Sequence, residues 1–399
     1  MERRKFLCVV GGSACLAAQA GITRALFGRG EVSAMSGDVL GMYVHEGLSY
    51  KHPYAARTWT FEDWQNYADG ITKLGYNTMM IWPSLEGMPS PLTPSDRAAL
   101  QKIANVIGVL HRDFGMKVWI VLCPNIVANS AKAAEFSYEE RPYSCPSTFI
   151  DPSDLVAIGQ MIKWREELLR PLAEMDSLAI IDSDPGGYPG STNAQFVSLL
   201  GEHRRMLDRL RSGIELYYWM HAGWETYSQY YQTGKFEPRP REETIDVLTR
   251  LNRLNPEPWG ITVHAVYDWY APPDSTKLDV ARRLGLDSRA VAFNFGAIEG
   301  DPAYPITNFG SDTAFQAGQA KAPRGVVGNA DTHCVQLPNT FAFARGAKGQ
   351  PVTEADYVDF ADELITGQGQ LIVEGGKDPP RRLGRHRSSA LTSASGRGR

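Results

Sequence analysis

Eight times along this chain a short apolar run breaks off at polar or turn-forming residues and gives way to a segment with helical periodicity. That rhythm constrains the fold more than any other feature, because strands alternating with helices pair in parallel through crossover connections. The runs cover 39–44, 77–81, 117–122, 178–181, 215–220, 260–266, 290–295 and 325–328. Between them, Thr60-Phe61-Glu62-Asp63 reads as a capping box opening a helix through Leu74, and Leu100, Ile103, Ile107 and Leu110 recur at helical spacing after Pro94. Further helices are expected over 153–175, 193–210, 242–254 and 354–364. Eight strand–helix rounds are the count and order of an α/β fold of the (β/α)8 TIM-barrel type, a single domain over 38–374. A doubly wound open sheet is the alternative, since counting apolar runs does not separate the two. A length of 399 residues suits one barrel with appendages.

The appendages differ in character from the body. Met1-Glu2-Arg3-Arg4-Lys5-Phe6-Leu7 precedes a short, glycine-containing apolar run and an Ala18-Gln19-Ala20 site. Paired arginines, a short h-region and an Ala-x-Ala site resemble a bacterial twin-arginine export signal, so 1–37 is expected to be a signal peptide and linker, with the mature protein periplasmic or extracellular. No other window approaches the roughly 18 apolar residues a membrane span needs, which predicts no integral membrane segment in the mature protein. Residues 375–399 are rich in Arg, Ser, Gly and Pro and are expected to be a disordered basic tail.

Charge narrows the partners. The net charge is −4, yet the tail from Gly375 holds seven basic residues against one acid and the first 37 residues hold five against two. The body between them is therefore more acidic than the total, which disfavours nucleic acid or an anionic membrane as a partner and suits a neutral substrate. Five cysteines are present. Cys8 and Cys15 would depart with the signal, and Cys123, Cys145 and Cys334 match no zinc spacing, so neither a metal nor another cofactor is expected. Cys123 follows Trp119-Ile120-Val121-Leu122 and is expected to be a buried small hydrophobe.

The densest chemistry is Leu178-Ala179-Ile180-Ile181-Asp182-Ser183-Asp184-Pro185-Gly186-Gly187-Tyr188. A strand cannot continue through Pro185 without losing a ladder donor, so both acids stand at its C-terminal end. Strand alternation would place Asp182 and Asp184 on one face, roughly 7 Å apart at about 3.3 Å rise per residue. An acid capping the next helix, or an Asx turn, is the structural alternative. In a barrel the site gathers where the strands end. That rule collects Glu46, Trp82, Asn125, Asp182, Asp184, His221, Trp224, Glu225, Tyr267, Asp268, Trp269, Asn294, Glu299, Asn329 and Asp331, with Arg57 from the first loop. The loop from 123 to 149 is long enough to be functional, and its Tyr138, Arg141 and Tyr143 either cover the site or pack down on the surface.

Acids and aromatics dominate that set, and glycosidic cleavage needs this mixture: one carboxylic acid for the leaving oxygen, a second group to supply nucleophile or water, and flat rings for sugar faces. Asp184 is the expected general acid, last before the turn. Asp182 is expected to orient it, with Glu299 or Asp268 opposite, and the remaining residues to bind substrate.

A family resemblance points the same way. Ala56-Arg57-Thr58-Trp59, then Trp64 and Tyr67, then Gly75-Tyr76-Asn77-Thr78 leading to Ile81-Trp82-Pro83, resembles the opening of bacterial barrel glycoside hydrolases of hexosaminidase-like and α-glucuronidase-like type. The stretch from Gly328 through Asp331 to Asn339 is similar to their closing segment. The resemblance implies a barrel that hydrolyses O-glycosyl bonds in a glycan or oligosaccharide. It departs in one place: hexosaminidase-like enzymes carry adjacent acids after the fourth strand, and here Ser183 separates them. A sugar-binding barrel without catalysis and a metal-dependent hydrolase are the alternatives. The second has only His45-Glu46 and Asp331-Thr332-His333 as weak candidate ligands. No Gly-x-Ser-x-Gly elbow supports a serine nucleophile.

Overall fold

The computed structural model describes residues 38–47, 55–142, 147–254, 257–263, 276–299, 312–330 and 337–377. Its strands are β1 (Val39–His45), β2 (Thr78–Trp82), β3 (Lys117–Leu122), β4 (Ile126–Ala128), β5 (Ser147–Phe149), β6 (Ser177–Ile181), β7 (Glu215–Met220), β8 (Trp259–Val263), β9 (Ala290–Glu299) and β10 (Gly325–Ala330). Its helices are α1 (Phe61–Lys73), α2 (Pro94–Phe114), α3 (Ser130–Ala133), α4 (Leu155–Leu169), α5 (Asn193–Leu210) and α6 (Trp224–Thr233). They continue with α7 (Pro240–Leu254), α8 (Thr276–Arg283), α9 (Asp312–Gln319), α10 (Leu337–Ala347), α11 (Glu354–Leu364) and α12 (Gly369–Lys377).

Eight strands close on themselves in the order β1-β2-β3-β6-β7-β8-β9-β10, with β10 returning to β1. Neighbours run parallel throughout, as in the Met42↔Met79 and Gly41↔Val327 pairs of β1. The molecule is a (β/α)8 barrel. β4 and β5 form a separate antiparallel hairpin, where the sequence reads only as an irregular loop.

Local signals set the helix starts. Thr60 caps α1 and Thr93 caps α2, each in a reciprocal box with an acid three residues on, Asp63 and Asp96. Pro94 occupies the first turn of α2, and Gly115 ends it in the left-handed region.

The strands are buried on both faces, and alternation divides their side chains into two layers. One set, including Tyr43, Met80, Trp82, Trp119, Ile181, Tyr217, Trp219 and Phe293, packs together as the barrel interior. The other, including Val44, Ile81, Leu122, Ile180, Tyr218 and Val263, packs against the helices. The interior is unusually aromatic: Trp119 stacks on Tyr217 at 4.1 Å, and Trp219 meets Tyr43 at 5.3 Å and Phe293 at 4.4 Å. Such pairs add about 0.5–1.5 kcal/mol each beyond their burial. Gly260 makes the space they need, since a Cβ there would lie 2.5 Å from the Tyr217 ring.

The long loop after β3 packs down. Arg141 forms a two-pronged ion pair with Asp96, at 2.7 and 3.2 Å, with both side chains buried. Removing either partner would strand a buried charge, which costs about 3–5 kcal/mol. Tyr138 is also buried, its hydroxyl 2.7 Å from Glu46 Oε2 and 2.8 Å from the Pro83 carbonyl. Tyr143 lies outside the described residues, as do 1–37 and the tail beyond Lys377. Among the described residues, no helix is long and apolar enough to cross a membrane.

Candidate active site

The C-terminal rim of the barrel is built by the residues that follow each strand. Strand alternation carries His45, Trp82, Cys123 and Ser183 into it as inward positions. His45 stacks on Trp82 at 4.6 Å, and its Nδ1 accepts the Gly47 amide at 2.8 Å. Burial, reinforced by the Arg57 charge, pushes the His45 imidazole down to about 3, so it stays neutral at physiological pH. Trp82 donates its indole N–H to Glu86 Oε1 at 2.7 Å.

Cys123 is a free, buried thiol. It sits between two acidic residues, 2.9 Å from Glu86 Oε1 and 3.2 Å from the Asp184 carbonyl. Burial raises its pKa first and the Glu86 charge second, so the thiol keeps its proton and donates.

β6 ends at Ile181, one residue before the first acid. Asp182 keeps the outward direction of Ile180. Its Oδ2 accepts from the Tyr218 hydroxyl at 2.7 Å and its Oδ1 from the His221 amide at 3.2 Å, and it is 1% exposed. Ser183 takes the inward position, with Oγ 2.9 Å from His221 Nδ1 and accepting the Ala222 amide at 3.1 Å. Asp184 lies in the turn beyond and is half-buried. β6 thus stops before its alternation reaches Asp184, Asp182 belongs to the wall, and the charges of both acids act on the Tyr227 phenol.

The turn that carries Asp184 lies beside α6, a helix the sequence reading did not include. Burial first and the Asp184 charge second raise the phenols of Tyr227 and Tyr231. The turn is locked to the same helix, because Ser228 donates to the Tyr188 carbonyl and Gly187 presses on Ser228, where a Cβ would come within 2.9 Å of its amide nitrogen. α6 is in turn held from α7. Glu243 accepts the Thr226 amide at 2.6 Å and its hydroxyl at 2.5 Å. Gly223, at φ 101°, is required there, since a Cβ would overlap the Glu243 carboxylate at 1.9 Å. Burial, with charges from Asp182 and Glu225, pushes Glu243 up to about 7 against the pull of the Thr226 bonds.

The other sequence-selected residues divide by layer. His221 and Trp82 stand at the rim with Asp184. Glu46 turns toward the helices and Tyr138, and burial raises its pKa. Arg57 is buried and donates to the carbonyls of Tyr138 and Arg141, bracing the long loop. Asn125 ties that loop to the turn after Asp184 by donating to the Ile150 and Gly187 carbonyls, at 2.9 and 3.3 Å. Trp224 is fully buried and stacks on Phe196 at 4.9 Å, and Glu225 accepts the Asn193 amide at the start of α5. Asn294 points outward to the Ala317 and Ala320 carbonyls at the end of α9, whereas Asn329 accepts the Gly296 amide at a bulge in β9. The main chain of β9 reaches the rim at Glu299, paired with Ala330. Tyr267, Asp268, Trp269 and Asp331 lie outside the described residues. Among the described residues, no group of three His, Cys, Asp or Glu side chains is placed to hold a metal ion.

No family model matches the sequence, and comparison with curated proteins returns no match. Solved structures share the fold. An O-GlcNAc hydrolase variant of Thermobaculum terrenum aligns with a TM-score of 0.53 and 10% identity, over 83% of this chain and 64% of that one. The catalytic domain of Paenibacillus polymyxa β-amylase aligns at 0.46 and 9%, over 86% and 99%. Dispersin B aligns at 0.43 and 11%, over 78% and 99%. This chain thus spans just under two thirds of the length of the first. At 10% identity the likeness to the first establishes the barrel fold alone and leaves chemistry to the site.

Proposed function

We propose that this protein is an exported glycoside hydrolase, cleaving a glycan or oligosaccharide by carboxylate acid/base catalysis with Asp184 as general acid. The observation that carries the reading is the position of Asp184: a half-buried carboxyl at the C-terminal rim of a barrel, beside the tyrosines of α6. A leaving glycosidic oxygen needs a proton donor at such a place, and sugar rings need flat apolar faces next to it. Asp182 is a positioning residue in this scheme, because it fixes the β7 end that carries His221. Glu299, where β9 meets the rim, is the candidate for the second carboxylate, and Asp268 is the alternative.

The test is Asp184→Asn, nearly isosteric with the native side chain. Turnover on glycosides with poor leaving groups should fall about 10²-fold or more, with a smaller loss on activated aryl glycosides that need little protonation. Near wild-type turnover on an unactivated substrate would move the acid elsewhere. One observation favours a second reading, a barrel that binds sugars without cleaving them: both oxygens of Asp182 are engaged inside the wall. Sugar binding by wild type, with no hydrolysis of any bound glycan, would select that reading.

A further inference from the structure

Among the described residues, exposed large apolar side chains stand singly, as at Phe136, Leu284 and Leu371, or as the aliphatic neighbours Leu155 and Val156, and exposed aromatic rings gather in one place. On α6 and just beyond it, Tyr230, Tyr231 and Phe236 are 41, 38 and 49% exposed. They form a cluster with Tyr227, in which Tyr230 and Tyr231 lie 5.7 Å apart and Phe236 lies 5.8 Å from Tyr227 and 6.2 Å from Tyr230. Phe149 of β5 extends it, 5.2 Å from Tyr231. Contiguous exposed rings mark a binding surface, whereas single exposed hydrophobes need no explanation.

The cluster is rigidly mounted. α6 is capped by Glu243 and bonded through Ser228 to the turn that carries Asp184. Ring edges meet ring faces, with interplanar angles of 62° for Tyr230 and Tyr231 and 87° for Tyr227 and Phe236. Each ring thereby holds its neighbours, while Tyr230, Tyr231 and Phe236 stay exposed. Rings inclined to one another at 62° to 87° form an apolar wall whose exposed faces and edges suit the C–H faces of pyranose rings, and the phenol hydroxyls supply partners for sugar hydroxyls. Charge selects among sugars. The turn that carries Asp184 is bonded to α6 through Ser228, and the Asp184 charge acts on Tyr227 and Tyr231, so a uronate or phosphorylated chain laid across them would meet like charge.

We propose that Tyr227, Tyr230, Tyr231 and Phe236 form a stacking subsite for a neutral oligosaccharide, which runs outward along α6 from a scissile bond at Asp184. The proposal rests on the glycosidase reading for its orientation, though not for its existence. It makes the protein selective for chain length: a polymer or long oligomer engages the cluster, and a disaccharide held at Asp184 does not reach Phe236.

Binding of cellohexaose, xylohexaose and chitohexaose is measured by calorimetry on the full chain, with Asp184→Asn as background so that the sugars survive. At least one hexaose should bind, and Tyr230→Ala with Phe236→Ala should weaken it tenfold or more, with a smaller change for the matching disaccharide. Tyr230→Leu, which keeps apolar bulk without a flat face, should give most of the single-site loss. Phe136→Ala, an exposed ring elsewhere, should leave the affinity unchanged. Thermal melts check that the variants are folded. A hexaose that binds the double variant as tightly as its parent overturns the subsite and leaves the glycosidase reading standing. Hexaose binding that depends on the cluster, with no hydrolysis by the Asp184-containing chain, keeps the subsite and overturns the glycosidase reading. No hexaose bound at millimolar concentration, or a loss of self-association as the sole effect of the double variant, overturns the subsite.

Discussion

Replacing Glu243 with Gln should make the protein more stable at alkaline pH than it is now, and the size of the effect follows from where the carboxyl sits. Glu243 of α7 is buried against the first turn of α6, bonded to Thr226 through both oxygens. Its pKa rises from 4.5 to about 7 on folding. Between these values the native protein holds a proton that the unfolded chain has released. The group's contribution to stability is therefore fully present below pH 4.5 and is lost as pH rises through about 7. At about 1.4 kcal/mol per pKa unit, the loss amounts to roughly 3.4 kcal/mol. The N-terminus of α6 favours the anion by up to about 1 kcal/mol, which puts the expected figure nearer 2 to 3 kcal/mol. Glutamine resembles the protonated acid: its carbonyl can accept the Thr226 amide, and its amide can donate to the hydroxyl. Urea unfolding of wild type and Glu243→Gln at pH 4.5 and pH 8 measures the difference. The variant should gain roughly 2 to 3 kcal/mol relative to wild type between the two, at constant m-value. An equal offset at both pH values would show that Glu243 does not change its protonation on folding.

Two further outcomes are expected. Gly260→Ala should destabilise by about 1–3 kcal/mol, because the new methyl meets a Tyr217 ring pinned by Trp119, and the melting temperature reads the loss. Replacing Arg3 and Arg4 with lysine should retain the protein in the cytoplasm, whereas unchanged export by fractionation would dismiss the twin-arginine reading.

The barrel was legible because its signals are local. Runs such as 117–122 and 215–220 coincide with β3 and β7, and the helices over 193–210 and 354–364 coincide with α5 and α11. Each is bounded by turn residues or a capping threonine that act within a few positions. α6 was not legible, since no side chain caps it from its own N-terminus and its cap comes from Glu243, seventeen residues after Thr226. The run over 260–266 coincides with β8 as far as Val263, and 264–266 lie outside the described residues. The candidate site was less legible than the fold for a specific reason. Strands buried on both faces show no polar alternation, so nothing in 178–181 states which side chains point into the barrel. Once Ile181 is inward, Asp182 must be outward, and the residue between the two acids turns out to be the one facing the rim.

The pairing of β1 with β10 joins residues as far apart in sequence as Val39 and Gly325. Few contacts in the molecule span so much chain, and the entropy of closing that loop falls due only when the intervening strands are already assembled. Until then the growing sheet has two open edges, each a row of unpaired amides and carbonyls able to recruit another chain. Closure removes both edges in one event. A chain lacking 39–45 would lose far more than seven residues of strand, because β2 and β10 would each be left as a permanent edge. β1 thus decides whether the folded product is a closed ring or a template for aggregation.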